Sequence, residues 1–356
     1  MPDTTAAVTP IAYGHATVDQ VWLAKVHEPI IEPGLPIIDP HHHLWHDRAS
    51  SRYMQDDLAA DLASGHDVRA TVFVQCGWAY RRAGPEALRM VGETEAAAAV
   101  ATLSGTGAYG RARICDGIVG CADMRAETLD ALLDAHEAAG GGRFRGVRHI
   151  CTWDEGIAPT SVLRQQPGLL ADPDFRRGLR RLGERGHTFE AWQYHTQLSE
   201  LLPAVQEAPG TTFVINHVGG PIGVGAYRAD RAAVMQAWAQ GMQALAACPN
   251  TVVKLGGLGM PVNGFDYHKQ IMPPSSEQIA KDWRPFIEPC IEWFGPDRCM
   301  FESNFPVDKG MVSYAVLWNA FKRLAMGASV TEKAALFHGT AARVYRLDDL
   351  VAAVDG

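Results

Sequence analysis

The amino-acid sequence predicts an α/β protein folded as a single (β/α)8 TIM barrel with a short N-terminal extension. Eight short apolar runs alternate with segments of helical periodicity, and eight such units are the number that closes a barrel of this kind. The 356 residues suffice for one such barrel, and no internal repeat or Pro/Ser/Gly-rich linker divides them. The open doubly wound sheet is the competing fold, but the chain lacks the glycine-rich fingerprint of its dinucleotide-binding form.

The predicted elements alternate regularly from residue 36 onwards. Strands are predicted at 36–39, 68–75, 117–121, 144–150, 187–193, 211–216, 251–255 and 298–302. Helices are predicted at 57–64, 85–103, 126–139, 172–185, 198–207, 230–247, 276–293 and 311–325. Residues 1–35 form the expected extension, with a loose start at 1–15 and a helix at 17–26 that has Thr17 as its N-cap. The barrel is therefore expected to comprise residues 36–356, with the extension packed on it.

Composition narrows the class of protein. Hydrophobic residues make up 47% of the chain and charged residues 20%, which is globular composition. The net charge of −8 and the absence of a long Lys/Arg run argue against nucleic-acid binding. The seven cysteines are scattered and form no CxxC pair, which argues against a disulfide framework. No apolar run approaches the length that spans a membrane, and residues 1–11 do not resemble a signal peptide. These observations predict a cytoplasmic protein with no membrane partner.

The first predicted strand leads into three consecutive histidines. Pro40 ends the apolar run, and His41, His42 and His43 follow it. His41 and His43 are two residues apart, so in extended backbone they point the same way, and His42 points oppositely. Imidazole is the commonest metal-ligating side chain and titrates near neutral pH. If this stretch is considered alone, the alternative to a metal or substrate site is a histidine-rich loop that binds nothing.

Further polar residues are predicted at the carboxyl ends of other strands, where barrel active sites lie. They are Arg148 and His149 after the fourth strand, Gln193, His195 and Gln197 after the fifth, His217 after the sixth, Lys254 in the seventh, and Glu302, Asn304 and Asp308 after the eighth. Glu190 falls within the fifth strand, and it is equally well interpreted as a site residue or as a buried carboxylate paired with an arginine. Arg148 could likewise form an ion pair inside the barrel. Four histidines at the ends of three strands favour an active site.

Five segments give the chain a resemblance to a known family. They are Ile-Asp-Pro-His-His-His-Leu-Trp at 38–45, Phe-Arg-Gly-Val-Arg-His at 144–149, Asn-His-Val-Gly-Gly-Pro at 216–221, Phe-Glu-Ser-Asn-Phe-Pro at 301–306 and Phe-His-Gly-Thr-Ala-Ala-Arg-Val-Tyr-Arg-Leu at 337–347. Over residues 36–347 the chain resembles the amidohydrolase superfamily, in the amidohydrolase-2 branch with sugar-acid lactonases and 2-pyrone-4,6-dicarboxylate lactonase. The resemblance implies a distorted (β/α)8 barrel that hydrolyses esters, amides or lactones, although some relatives decarboxylate or hydrate.

The resemblance also assigns candidate ligands. His41 and His43 match the family's first-strand pair, His217 matches its sixth-strand histidine, and His195 fits the fifth-strand position. His41, His43 and His217 could hold one divalent ion, zinc being favoured, with an exchangeable water. The fourth strand holds no lysine, so the carboxylated-lysine bridge of the binuclear relatives is not expected. Metal-free catalysis, in which histidines and arginines polarise the carbonyl, stays open because some similar lactonases work that way.

The eighth strand departs from the family pattern. Where relatives carry a water-activating aspartate in Ser-Asp-Trp-Pro, this chain has Asn304 in Ser-Asn-Phe-Pro. A neutral amide can orient a water but cannot accept its proton near pH 7. Asp308, His195 or His217 could take that role instead, or the change could mark altered chemistry.

The predicted function is hydrolysis of a lactone derived from a sugar acid or an aromatic ring-cleavage product. His41, His43 and His217 would stabilise the oxyanion, Asp308 or His195 would transfer the proton, and Asn304 would orient water. The expected substrate-binding residues are Arg148, His149, Gln193 and Gln197. The alternatives are a decarboxylase of an aromatic or unsaturated acid, and a catalytically silent barrel that binds a small molecule. The expected partner is a small-molecule substrate, and a homo-oligomer stays open.

Overall fold

Eight parallel strands form one sheet in which each strand pairs with the strand that follows it in the sequence. The computed structural model describes residues 10–48, 51–159, 161, 163 and 165–347. The strands are β1 Pro36–His42, β2 Asp67–Val74, β3 Arg113–Gly120, β4 Phe144–Arg148, β5 Thr188–Ala191, β6 Phe213–Ile215, β7 Thr251–Leu255 and β8 Cys299–Phe301. All eight predicted strands are present in the predicted order, and the (β/α)8 fold is confirmed.

Backbone hydrogen bonds beyond the end of β8 bring it against β1 and nearly close the barrel. The amide of Asn304 donates to the carbonyl of His41 over 2.9 Å, and the amide of His43 donates to the carbonyl of Phe305 over 2.7 Å. His42 and Phe305 form a parallel bridge. The histidine stretch and the Ser-Asn-Phe-Pro stretch therefore lie side by side.

Helices surround the sheet close to their predicted positions. They are α1 Gln20–Leu23, α2 Gln55–Leu62, α3 Val91–Ser104, α4 Leu129–Gly140, α5 Pro173–Glu184, α6 Leu198–Glu207, α7 Arg231–Ala246, α8 Ser276–Phe294, α9 Tyr314–Leu324, α10 Val330–Ala334 and α11 Thr340–Tyr345. Asp19 caps α1, so the predicted cap at Thr17 is wrong. The predicted helix 85–103 begins only at Val91, after a 3-10 turn. A two-stranded antiparallel ribbon, Trp45–Arg48 with Ser51–Tyr53, was not predicted.

Apolar side chains fill the barrel interior, and the C-terminal helix contributes to this cluster. The inward-facing cluster consists of Ile38, Ala70, Val72, Val74, Val119, Val214, Val252 and Met300 with Ala341, Ala342, Val344, Tyr345 and Leu347. A barrel of eight strands is narrow enough for side chains to fill it. The α11 segment thus belongs to the inner core of the barrel.

The N-terminal extension lies against the last two large helices. Trp22 Nε1 donates to the carbonyl of Gln270 over 3.0 Å, and Glu28 accepts the amide of Ser276 over 2.8 Å. The amide of Ile31 donates to Asn319 over 2.9 Å. Residues 1–9 of the predicted extension and 348–356 of the predicted barrel lie outside the described residues. Within the described part of the chain, no helix combines the length and apolar character needed to cross a membrane.

We expect a buried histidine to make the fold acid-sensitive. His136 is fully buried between Thr94 and the carbonyl of Cys121, and burial lowers its pKa to about 4. Below pH 6.5 the unfolded chain binds a proton at this histidine, whereas the folded chain does not. Protonation therefore favours the unfolded chain, and the free energy of unfolding decreases as pH falls from 6.5 towards 4. Between pH 7 and pH 5 the loss is about 2 kcal/mol.

Urea unfolding at both pH values tests this expectation. When the pH is lowered from 7 to 5, the free energy of unfolding of His136→Gln should decrease by about 2 kcal/mol less than that of the wild type. His27→Gln, at an exposed histidine, serves as the control and should follow the wild type. Equal losses in all three proteins would contradict the assignment.

Candidate active site

The carboxyl ends of the strands surround a cavity of about 330 Å³. Its walls are formed by Tyr13, His15, His43, Gln75, Cys76, Arg148, Ile150, Ser161, Trp192, Tyr194, His217, Met260, Pro261, Val262, Asn304 and Val307. Among the described residues that form these walls, none is a carboxylate and one, Arg148, is a permanent cation. The cavity therefore suits a small neutral or anionic ligand.

A buried carboxylate connects two of the predicted histidines beneath this cavity. Glu302 directly follows β8 and is fully buried. Its Oε1 lies 2.7 Å from Nδ1 of His217 and also accepts the His217 backbone N–H over 3.2 Å. Its Oε2 lies 2.8 Å from Nδ1 of His41. Glu302 was recognised in the sequence only as a strand-end residue, and its contacts make it the centre of the cluster.

A second buried carboxylate holds a lysine in the same cluster. Lys254 Nζ lies 2.8 Å from Glu190 and 3.3 Å from Nδ1 of His41. Glu190 also accepts hydrogen bonds from Asn216 and Tyr345, each over 2.5 Å. The carboxylate is paired, as one interpretation of the sequence expected, but its cationic partner is a lysine and not an arginine.

Arg148 reaches the cavity from the end of β4. Its Nε donates to the side chain of Gln75 over 3.0 Å, a terminal nitrogen donates to the Gln75 carbonyl, and the other terminal nitrogen lies 3.2 Å from Nε2 of His41. Burial, and next the charge of Lys254, keeps the pKa of His41 well below its usual value. The neutral ring can therefore donate Nδ1–H to Glu302 while Nε2 accepts from Arg148.

His43 presents a defined ring nitrogen to the cavity. Its Nδ1 lies 2.7 Å from the carbonyl oxygen of Val74, and only a protonated Nδ1 can donate to a carbonyl. In the neutral form of this ring, Nε2 would therefore carry the lone pair. The His41 and His43 rings lie 4.9 Å apart, whereas His42 points away and contacts Thr71 over 2.9 Å. This arrangement matches the alternation of side chains along β1.

Two glycines after β7 make room for the cluster. A Cβ at Gly257 would overlap the His217 imidazole, and a Cβ at Gly256 would overlap Glu302. Gly257 also has a φ of +67°, which favours glycine. A glycine pair at the end of a strand can let a ligand approach the backbone closely. In the structure the groups that approach are side chains of the protein.

Several predicted site residues do not line the cavity. His149 packs on Phe175 with ring centroids 5.1 Å apart. His195 packs against Tyr227 with ring centroids 5.4 Å apart. Gln197 accepts the amide of Trp153 over 2.9 Å. The chain leaves β5 at Ala191 and enters a 3-10 helix at His195–Gln197, so His195 and Gln197 belong to this turn and not to the strand.

Gln193 and Asp308 also lie away from the cavity. Gln193 is fully buried, and its amide has no hydrogen-bond partner among the described residues. Asp308 accepts the amide of Gly259 over 2.9 Å and the side-chain amide of Asn304 over 2.8 Å. Burial raises the pKa of Asp308 well above its usual value.

Three side chains could hold a metal ion together. His41, His217 and Glu302 each offer a ligand atom, and these atoms lie within 4.8 Å of one another. Oε2 of Glu302 lies 2.8 Å from Nδ1 of His41, so an ion bound by both groups would replace the hydrogen bond between them. Two imidazoles and a carboxylate suit zinc and also manganese. In this set Glu302 takes the place that the sequence analysis gave to His43.

The cavity also contains residues that the sequence did not predict. Gln75 lies just beyond the end of β2, so its strand-end position was a usable signal. Trp192 contacts the His217 ring edge-on, with centroids 4.6 Å apart. Tyr13 and His15 come from the N-terminal extension, where nothing in the sequence pattern indicated a site.

Comparison with known proteins places this geometry in a family. A family model described as Amidohydrolase matches residues 38–347. The uncharacterized protein y4mH of Sinorhizobium fredii is 31% identical over 334 residues, covering 88% of this chain and 99% of that protein. An L-fucono-1,5-lactonase of Burkholderia multivorans is 26% identical, covering 88% of this chain and 96% of the lactonase. A crystal structure of a Burkholderia multivorans amidohydrolase with bound zinc superposes with a TM-score of 0.67 at 24% identity, covering 87% of this chain and 99% of that one.

The space between Gly257 and His217 yields a stability prediction. Gly257→Ala should lower the free energy of unfolding by more than the about 1–2 kcal/mol that a left-handed alanine costs, because its Cβ also displaces the imidazole. Gly107→Ala is the matched control, since Gly107 has a φ of +81° with no atom within 4 Å of the added Cβ. Urea unfolding of both variants measures the difference, and equal losses would show that the His217 ring moves aside freely.

Proposed function

We propose that this chain, which belongs to the amidohydrolase family, is a hydrolase that opens a small monocyclic lactone. The observation that carries the proposal is the pairing of His43, with its Nε2 lone pair directed away from Val74, and Arg148 in one cavity at the strand ends. One group can take a proton and the other can bind developing negative charge. Those are the two requirements for attack of water on a ring carbonyl.

Arg148 binds and orients the substrate in this proposal. Hydrogen bonds to Gln75 and His41 fix the guanidinium plane, and the remaining N–H groups suit a carbonyl oxygen or a carboxylate. No carboxylate repels an anion from the described cavity walls. This polarity favours a lactone that carries a carboxylate or a second carbonyl group in addition to the ring ester. The cavity volume of about 330 Å³ limits the ligand to about one ring.

His43 accepts the proton of the attacking water in this proposal. The bond from Nδ1 to Val74 keeps the proton on that nitrogen, so Nε2 is the basic atom. Asn304 donates its side-chain N–H to Asp308, which leaves its oxygen as an acceptor that can orient the water. The proton can then pass from His43 to the leaving ring oxygen. Proton transfer is thus assigned to His43 in place of Asp308 or His195, which do not line the cavity.

A divalent ion would be held by His41, His217 and Glu302. When bound, such an ion would polarise the carbonyl as a Lewis acid. Glu302 also orients both imidazoles through the contacts described above. The lactonase relative at 26% identity supports lactones as the substrate class.

Activity of matched histidine variants tests this assignment. Purified protein should open at least one lactone from a panel of sugar-acid and unsaturated lactones, measured as acid release in a pH-stat. His43→Gln should lower kcat by about 100- to 10,000-fold, because general-base catalysis contributes that much. His195→Gln, at a buried histidine outside the cavity walls, should keep kcat within about threefold.

Two results would contradict the proposal. Full activity in His43→Gln would remove His43 from the reaction. Release of carbon dioxide from an aromatic or unsaturated acid, with no lactone opened, would place the chain among decarboxylases instead.

Metal content can be tested separately by elemental analysis. Protein purified without chelator should contain about one equivalent of zinc or manganese, and Glu302→Gln should lose most of it, because an amide is a weaker ligand than a carboxylate. Glu93→Gln is the matched control, since Glu93 is equally buried but accepts the amides of Cys76, Gly77 and Trp78. An equal metal content in both variants would argue against Glu302 as a ligand.

A further inference from the structure

The N-terminal extension passes over the mouth of the cavity. We call residues 10–16 the N-terminal strap. The amide of Ile11 donates to the carbonyl of Gly156 over 2.9 Å, and the amide of Ala158 donates to the carbonyl of Ile11 over 3.0 Å. At the other end, Gly310 lies so close to the strap that a Cβ there would overlap the carbonyl of Ala16. The strap is therefore held at both ends by the loops of the barrel.

Two strap side chains form part of the cavity wall. Tyr13 and His15 line the cavity together with residues of the barrel. The His15 ring stacks on Trp45, with centroids 5.7 Å apart and planes 13° apart. Trp45 stacks in turn on His43, with centroids 6.0 Å apart and planes 18° apart. A continuous stack of rings thus connects the strap to the histidine to which we assign proton transfer.

The strap lies outside the part of the chain that matches the family. The matched residues begin at 38, which is 22 residues after the strap ends at 16. The strap thus lies N-terminal to the residues that match the family model, although it contributes to the wall of the cavity.

We propose that the strap determines which substrate this enzyme accepts, through Tyr13 and His15. The two side chains limit the outer side of the cavity, and the Tyr13 hydroxyl offers a hydrogen bond to the edge of the substrate ring that faces outwards. The substrate class is then a compact lactone with a polar group on that edge, and bulkier lactones are excluded. This inference rests on the proposed lactone hydrolysis and specifies its substrate.

Kinetics on two lactones of different size tests the proposal. The double variant Tyr13→Ala/His15→Ala should raise KM for a compact hydroxylated lactone and admit a bulkier one. The ratio of their kcat/KM values should change by at least about tenfold, the lower end of what pocket contacts contribute. Val21→Ala, at an extension residue that is 79% exposed, is the control and should leave the ratio unchanged.

A second variant loosens the strap without touching the cavity wall. Ile11→Pro removes the N–H that donates to Gly156, and it should change the ratio in the same direction. If the ratio of kcat/KM values is unchanged in both the double variant and Ile11→Pro, the proposal is overturned. The strap would then cover the cavity without discriminating between substrates.

A readout independent of turnover separates this proposal from the proposed function. Cys76 lines the cavity and is 6% exposed, so the rate of its alkylation by iodoacetamide, followed by peptide mass spectrometry, reports access. If no protein opens a lactone, the proposed function fails. A Cys76 rate at least about threefold faster in Ile11→Pro and in the double variant, but not in Val21→Ala, still upholds the strap as the cavity's outer wall. An unchanged rate overturns it.

Discussion

The site depends on the burial of opposite charges at one end of the barrel. Glu190, Lys254 and Glu302 are fully buried, and Arg148 is 4% exposed. A buried charge is costly unless a partner and hydrogen bonds compensate for it, so each of these groups must keep its contacts. His41 lies among them, within 3.3 Å of Lys254, Arg148 and Glu302. The orientation of the His41 ring thus follows from its contacts with these charged groups.

The contact between the first and last strands supplies the second constraint. Since the amide of Asn304 binds the carbonyl of His41 and the amide of His43 binds the carbonyl of Phe305, the two most polar motifs share one backbone ladder. A shift of one residue in that ladder would exchange inward and outward side chains. Closure of the barrel and placement of the candidate site residues therefore depend on the same backbone hydrogen bonds.

The sequence predicted the architecture well because its periodicity records which faces are buried. Alternation along β1 correctly separated His41 and His43 from His42. The role of Glu302 was not predictable, because it follows from distances across the barrel to His41 and His217 and no sequence pattern expresses those distances. The sequence also grouped His195 with the other strand-end histidines, and only the 3-10 turn after β5 shows why it packs elsewhere. The strap gave no signal at all, since a short segment without helix or strand periodicity can follow many paths.

The hydrogen bond from Tyr345 to Glu190 has a consequence for the order in which the protein can mature on the ribosome. Glu190 lies in the middle of the chain, but Lys254 and Tyr345, two of the groups that compensate for its burial, are synthesised 64 and 155 residues later. Until α11 has emerged, the central carboxylate lacks one of its donors and the barrel interior lacks the apolar residues of α11. Nascent chains that end before Tyr345 should therefore remain dependent on chaperones, and the polar centre should reach its final form only when synthesis is nearly complete.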